Sequence, residues 1–154
     1  MVIVAVVALR AWQRRDLPTG QAPPLHGQDL SGAEVALAAE EPTLVHFWAS
    51  WCVVCRAMDH NIAAVAEDHR VVTVAVQSGP SSAVANWMRE HGLVESGAPA
   101  FPVVADPRSE LARRWGVKAF PTTFVVDPQG HIRFVEVGYS SELGLRARLW
   151  LAGH

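Results

Sequence analysis

Phe47-Trp48-Ala49-Ser50-Trp51-Cys52-Val53-Val54-Cys55-Arg56 is the stretch that decides the fold. Just before and into it, Thr43 to Trp48 form a short, mostly apolar run that suits a strand buried on both faces. After it, Met58, Ile62 and Val65 recur at i, i+4 and i+7, the spacing of a helix with one packed face. Asp59, Glu67 and Asp68 take other positions of that helix. The cysteines therefore stand where a strand turns into a helix. Cys52 faces backbone N–H groups that have no partner in the first helical turn, and the positive end of the helix dipole. Both favour thiolate over thiol. Cys55, three residues on, shares that helix face and is close enough to close a disulfide.

The chain holds two cysteines, both in this motif. A structural staple is a poor reading, because the stabilisation from a crosslink grows with the loop it closes, and this loop is minimal. Zinc wants four N, S or O ligands in a closed site, and the histidines here are scattered. Redox exchange remains: Cys52 attacks a partner disulfide and Cys55 resolves the mixed disulfide. The other composition facts agree with one folded domain. The 154 residues are 50% hydrophobic with a formal net charge of -2. That excludes a disordered chain and gives no basic footprint for nucleic acid.

Outward from the motif, strand and helix patterns alternate. Val71 to Val76 is β-branched and reads as a second buried strand. Ser78-Gly79-Pro80-Ser81 can cap a helix that carries Val84, Trp87, Met88 and His91 on one face and ends at Gly92. Phe101 to Val104 is a short strand, and Asp106 reads as the cap of a helix with Pro107 at its first position. Leu111 and Trp115 lie one turn apart in that helix, and Gly116 closes it. Thr122 to Val126 is a strand, Asp127-Pro128-Gln129-Gly130 a type I turn, and His131 to Val137 the returning strand. Ser140 and Ser141 can cap a last helix bearing Leu145, Leu149 and Trp150. The order β-α-β-α-β-α-β-β-α requires parallel strands with right-handed crossovers, and the final hairpin makes the sheet mixed.

Phe-Trp-Ala-x-Trp-Cys-x-x-Cys resembles the signature of the thioredoxin superfamily. Gly116-Val117-Lys118-Ala119-Phe120-Pro121-Thr122-Thr123-Phe124 resembles the segment that carries its cis-proline. The strand-helix unit from Phe101 to Trp115 is similar to the insertion of the TlpA/DsbE-like branch. Leu145-Arg146-Ala147-Arg148-Leu149-Trp150 is similar to the tail of the suppressor-for-copper-sensitivity protein D (ScsD-like) group. The resemblance covers roughly residues 25–150. It implies a thioredoxin-like α/β fold, a mixed central sheet flanked by helices, and a protein thiol–disulfide oxidoreductase that uses no cofactor beyond the Cys52–Cys55 pair and no metal. It also implies protein thiols and disulfides as partners, a membrane-bound DsbD-type electron donor, and a place in the bacterial periplasm. Pro121 is then cis and beside the cysteines, where a cis X–Pro bond leaves neighbouring backbone free to pair with an extended substrate.

Three side chains near the motif carry lesser expectations. Trp51 and Phe120 flank the reactive groups and can form a contact surface, whereas Trp48 reads as core. His46 stands where many thioredoxins hold a buried acid, so it can relay a proton from Cys55 or serve as a satisfied core histidine. Val53 and Val54 offer no charge to tune the pair. Phe120 departs from the small or β-branched residue common before the cis-proline.

Residues 1–10 form an apolar run, Met1 to Leu9, that stops at Arg10. As a helix it reaches only about 13 Å, against the roughly 20 apolar residues needed to span a bilayer. It reads as the remnant of an N-terminal anchor to the inner membrane, with Arg10, Arg14 and Arg15 at the membrane border. Residues 11–24 read as a Pro-rich tether and 25–154 as the thioredoxin-like domain. Two other functions compete. A cytochrome c maturation reductant typically carries an acid just after the cis-proline, where this chain has Thr122-Thr123. A Cu(I)-binding module could use the two soft thiolates, but thioredoxin-fold copper chaperones separate them by three residues rather than two.

Overall fold

The computed structural model describes residues 1–154. The elements are, in order, α1 (Val2–Arg14), β1 (Gly20–Gln21), β2 (Gly27–Gln28), β3 (Glu34–Val35), β4 (Thr43–Trp48), α2 (Val53–Ala66), β5 (Arg70–Val76) and α3 (Ser81–Glu90). Then come β6 (Val94–Glu95), β7 (Ala98–Pro99), β8 (Val103–Asp106), α4 (Glu110–Arg114), β9 (Thr122–Val126), β10 (His131–Val137) and α5 (Glu142–Ala152). One mixed sheet runs β1-β10-β9-β4-β5-β8. β4 pairs parallel with β5 and antiparallel with β9, and β5 pairs parallel with β8.

β4 lies at the centre and every one of its residues is buried. Side chains alternate between the two faces of a strand, so β4 feeds two cores. Leu44 and Trp48 meet Met58, Ile62 and Val65 of α2, Val84 and Met88 of α3, and Leu145 and Leu149 of α5. Val45 and Phe47 meet Val72, Val74 and Phe124 of the sheet, and Leu111, Ala112 and Trp115 on and just after α4. Each such side chain, fully buried, contributes about 1.5–3 kcal/mol of transfer free energy. The polar members of the central strand are satisfied: the Thr43 hydroxyl accepts from the Ala38 amide at 3.1 Å, and His46 Nδ1 lies 2.9 Å from Thr123 Oγ1.

Several local expectations need correction. α3 starts at Ser81 with Pro80 as its cap and no side-chain capping bond, so Ser78 does not cap it. Instead the Ser78 hydroxyl accepts from the Ser50 amide at 2.9 Å. α4 starts at Glu110 rather than Pro107, because Ser109 adopts a left-handed φ of 59° before it. Asp106 still serves the helix from a distance: its two carboxylate oxygens accept from the amides of Glu110 at 2.7 Å and Ala112 at 3.0 Å. Ser141 caps α5 as expected, accepting from the Gly144 amide. Asp59, expected away from the packed face of α2, is among its buried residues.

Residues 11–24 do more than connect. α1 buries none of its residues. After it, Leu17 and Ala22 join the α4-side core, and β1 pairs with β10 at the sheet edge. Gly116, at φ 66°, admits this segment closely: a Cβ there would lie 2.1 Å from the Asp16 carbonyl oxygen. Two hairpins, β2–β3 and β6–β7, were not legible in the sequence patterning. No helix is long and apolar enough to cross a membrane.

Candidate active site

The end of β4 delivers Trp48 and Ala49 into the core, and the chain then turns out to solvent at Trp51 before α2 begins. Cys52 is the N-cap of α2, with extended backbone at φ -92°, ψ 112°. Its Sγ accepts the Cys55 amide at 3.2 Å. That contact places the sulfur on an amide that has no helical carbonyl to bond. The first turn of α2 holds no acidic residue to oppose a negative charge there. Cys52 and Cys55 are joined as a disulfide, with their Cα atoms 5.2 Å apart.

The two sulfurs differ in access. Cys52 retains 9% of its surface and Cys55 only 1%. A partner can therefore reach the first cysteine more readily, while the second lies in the core with Met58 and Ile62 of α2. This asymmetry is what separate attacking and resolving roles require.

Trp51 is 59% exposed, yet it is held on both sides. Its indole N–H donates to the Gln77 carbonyl at 3.2 Å, and its ring meets Phe120 edge to face at 5.7 Å. Phe120 precedes Pro121, and the bond between them is cis. The Trp51–Phe120 contact brings the Pro121 loop against the turn that carries Cys52. Below, Trp48 donates from its indole to Thr73 Oγ1 at 3.0 Å and packs on Trp87 at 5.1 Å, as a core residue.

His46 and Asp59 divide the buried titratable chemistry. His46 is 2% exposed, and burial drives its pKa down to about 3. A base so weak does not take a proton from a thiol near neutral pH. Its geometry is that of a satisfied core histidine bonded to Thr123, the second of the two expectations for it. Asp59 is a buried acid that the sequence did not single out. It lies one turn beyond Cys55 on α2 and is 8% exposed. Burial pushes its pKa up to about 6, against opposing fields from His60, His91 and Arg56. The available signal was its spacing of four from Cys55, which puts both on one helix face.

A cavity of about 610 Å³ opens at Trp51, the residue before Cys52, lined also by Gln77, Ser109, Arg113, Lys118 and Phe120 among others. Of these, Trp51 and Phe120 were expected from the sequence at the substrate surface, and the structure brings them together. Arg113 and Lys118 were not singled out. They arrive through α4 and the loop after it, whose position relative to Cys52 depends on the tertiary fold.

The comparisons with known proteins agree with this geometry. A "Thioredoxin-like protein" of Haemophilus influenzae is 29% identical over 99% of this chain and 89% of its own length. The thiol:disulfide interchange protein DsbE of Xylella fastidiosa is 29% identical over 90% of this chain and 74% of its own. The crystal structure of a thioredoxin-family thiol:disulfide interchange protein from Chlorobium tepidum covers 89% of this chain and 98% of its own, at 25% identity and a TM-score of 0.70. The fold is the thioredoxin-like one expected from the motif. The AhpC/TSA family model matches residues 16–135, and the chain belongs to that family.

Proposed function

We propose that this protein is a thiol–disulfide oxidoreductase that exchanges electrons with protein disulfides through Cys52 and Cys55. The single observation that carries this reading is the placement of Cys52 at the N-cap of α2, accessible and bonded to the Cys55 amide, over a sealed Cys55. Relatives named thiol:disulfide interchange proteins, including HelX of Rhodobacter capsulatus at 33% identity over 75% of this chain, support it.

In the reducing direction the Cys52 thiolate attacks one sulfur of a client disulfide. A mixed disulfide forms, and the other client sulfur leaves as a thiolate that takes up a proton. Cys55 then loses its proton and attacks Cys52 Sγ, which releases the second client thiolate. Two electrons have passed to the client, and the Cys52–Cys55 disulfide of this structure is the product. Cys55, only 1% exposed, has little solvent contact through which to lose that proton. Asp59, about 5–6 Å away along the helix by Cβ spacing, is the group placed to hold it, and its raised pKa suits proton exchange near neutral pH.

The finer reading is an envelope protein of the TlpA/DsbE-like branch, closest to the ScsD-like group, anchored to the inner membrane and re-reduced by a DsbD-type donor. The exposed apolar face of α1, from Val2 to Leu9, supports a membrane-facing N-terminus. Thr122 and Thr123 after Pro121 favour general disulfide exchange over a dedicated cytochrome c maturation role.

Trapping tests the roles. Cys55→Ala should accumulate client proteins as mixed disulfides on Cys52, recovered on non-reducing gels and identified by mass spectrometry. Cys52→Ala should trap none. Equal trapping by both variants would remove the assignment of attacking and resolving cysteines.

A further inference from the structure

The cavity at Trp51, the residue before Cys52, has charged lining side chains of one sign, Arg113 and Lys118. Trp51 and Phe120 form one edge, and none of the lining residues is acidic. An adjoining cavity of about 320 Å³ shares Arg113, Val117 and Lys118 and adds Arg114 together with Asp16, the carboxylate that pairs with Lys118. Arg113 and Arg114 thus stand on α4 at the edge of these cavities.

Two details show what this rim accepts. Lys118 already binds a carboxylate, that of Asp16, supplied by the chain's own N-terminal segment. Arg113 takes part in none of the protein's ion pairs; its Nη1 donates to the Arg108 carbonyl at 2.9 Å, which braces the guanidinium while leaving its other N–H groups available. A guanidinium so placed is suited to a carboxylate. Between the cysteines Val53 and Val54 supply no charge, so α4 provides the charged recognition on this side of Cys52.

We infer that the cavity between Trp51, Phe120 and α4 is a specificity pocket for an acidic side chain, so that preferred clients carry Glu or Asp within a few residues of the disulfide cysteine that Cys52 attacks. The client segment crosses the Trp51–Phe120 edge, its sulfur at Cys52 and its carboxylate at Arg113, with Lys118 adding to the field. This rests on the oxidoreductase reading and names the substrate class of that same site.

The test uses the full-length protein, reduced with dithiothreitol and freed of it, reacted with short disulfide peptides that differ only in Glu, Gln or Lys at successive positions around the cysteine. Second-order rate constants are read by quenched-flow and chromatography. The Glu peptide at the best position should react about tenfold faster than its Gln twin at low salt, and the ratio should shrink at high salt. Arg113→Glu should reverse the order, making the Lys peptide fastest. Arg89→Glu, on α3 against the opposite face of the sheet, should leave the order as in the parent. Equal rates for Glu and Gln peptides at every position, or an acidic preference that survives Arg113→Glu, would overturn the pocket assignment. Should no peptide and no small aromatic disulfide be reduced at all, the oxidoreductase reading falls first and the pocket falls with it.

Discussion

At the scale of single residues, the pair Asp59 and His46 sets opposite pH dependences. Asp59 is an acid whose pKa rises to about 6 in the fold from an ordinary 3.8. Below about pH 3 it is protonated in both folded and unfolded chains and costs nothing. As pH rises through about 6 the folded state must hold a desolvated charge, so stability is lost in that window. His46 behaves in reverse. Its pKa of about 3 means that the unfolded chain binds a proton first, and stability is lost as pH falls below 6.5. Asp59→Asn removes the first effect alone. It should raise stability at pH 8 by on the order of 1 kcal/mol and make no difference at about pH 3, read as urea midpoints. Identical midpoints at pH 8 would mean that Asp59 is not desolvated. The same variant should slow the resolving step if Asp59 holds the Cys55 proton, because an amide cannot accept one.

At the scale of elements, the positions that matter are those where a side chain ties one element to the next. Asp106 ends β8 and bonds the amides of Glu110 and Ala112 in α4 while only 5% exposed. Asp106→Ala leaves two helical donors without their carboxylate and should cost about 1–3 kcal/mol, measured by chemical denaturation. A cost near zero would mean that water replaces the carboxylate there. The sequence made β4, α2, β5, β9 and α5 legible because each is long enough to show its period or its cap. Cys52 and Cys55 were legible because their chemistry depends on local position at one helix start. The two-residue strands were not, since hairpins as short as β6–β7 leave no periodicity. There only the Ser96-Gly97 turn, with both φ values positive at 51° and 83°, marks the reversal. Asp59 looked polar and therefore exposed, but Cys55, Met58, Asp59 and Ile62 complete one helical face, and tertiary packing buries all of them. Arg113 was illegible for a further reason: its relation to Cys52 exists only once β8 and α4 dock against the sheet.

At the scale of the whole molecule, α1 and the residues just after it hold to the body in different ways. α1 touches the body through surface pairs such as Arg14–Glu136 at 3.6 Å and Lys118 over Trp12 at 5.3 Å. Exposed pairs of this kind are worth about 0–1 kcal/mol each. Leu17 and Ala22, by contrast, are in the core, and β1 extends the sheet. Removing residues 1–14 should change Tm by no more than about 2 °C, whereas removing residues 1–24 should lower it by about 5–10 °C. Equal losses for the two truncations would show that α1 itself holds the fold together.

Everything proposed for exchange depends on the acidity of one sulfur at the start of α2. The direct measurement is the ultraviolet thiolate absorbance of the reduced protein against pH, with Cys55→Ala isolating Cys52. A midpoint well below the roughly 8.5 of a free peptide cysteine is expected. A midpoint at or above that value would contradict the role given to the helix start and to Cys52.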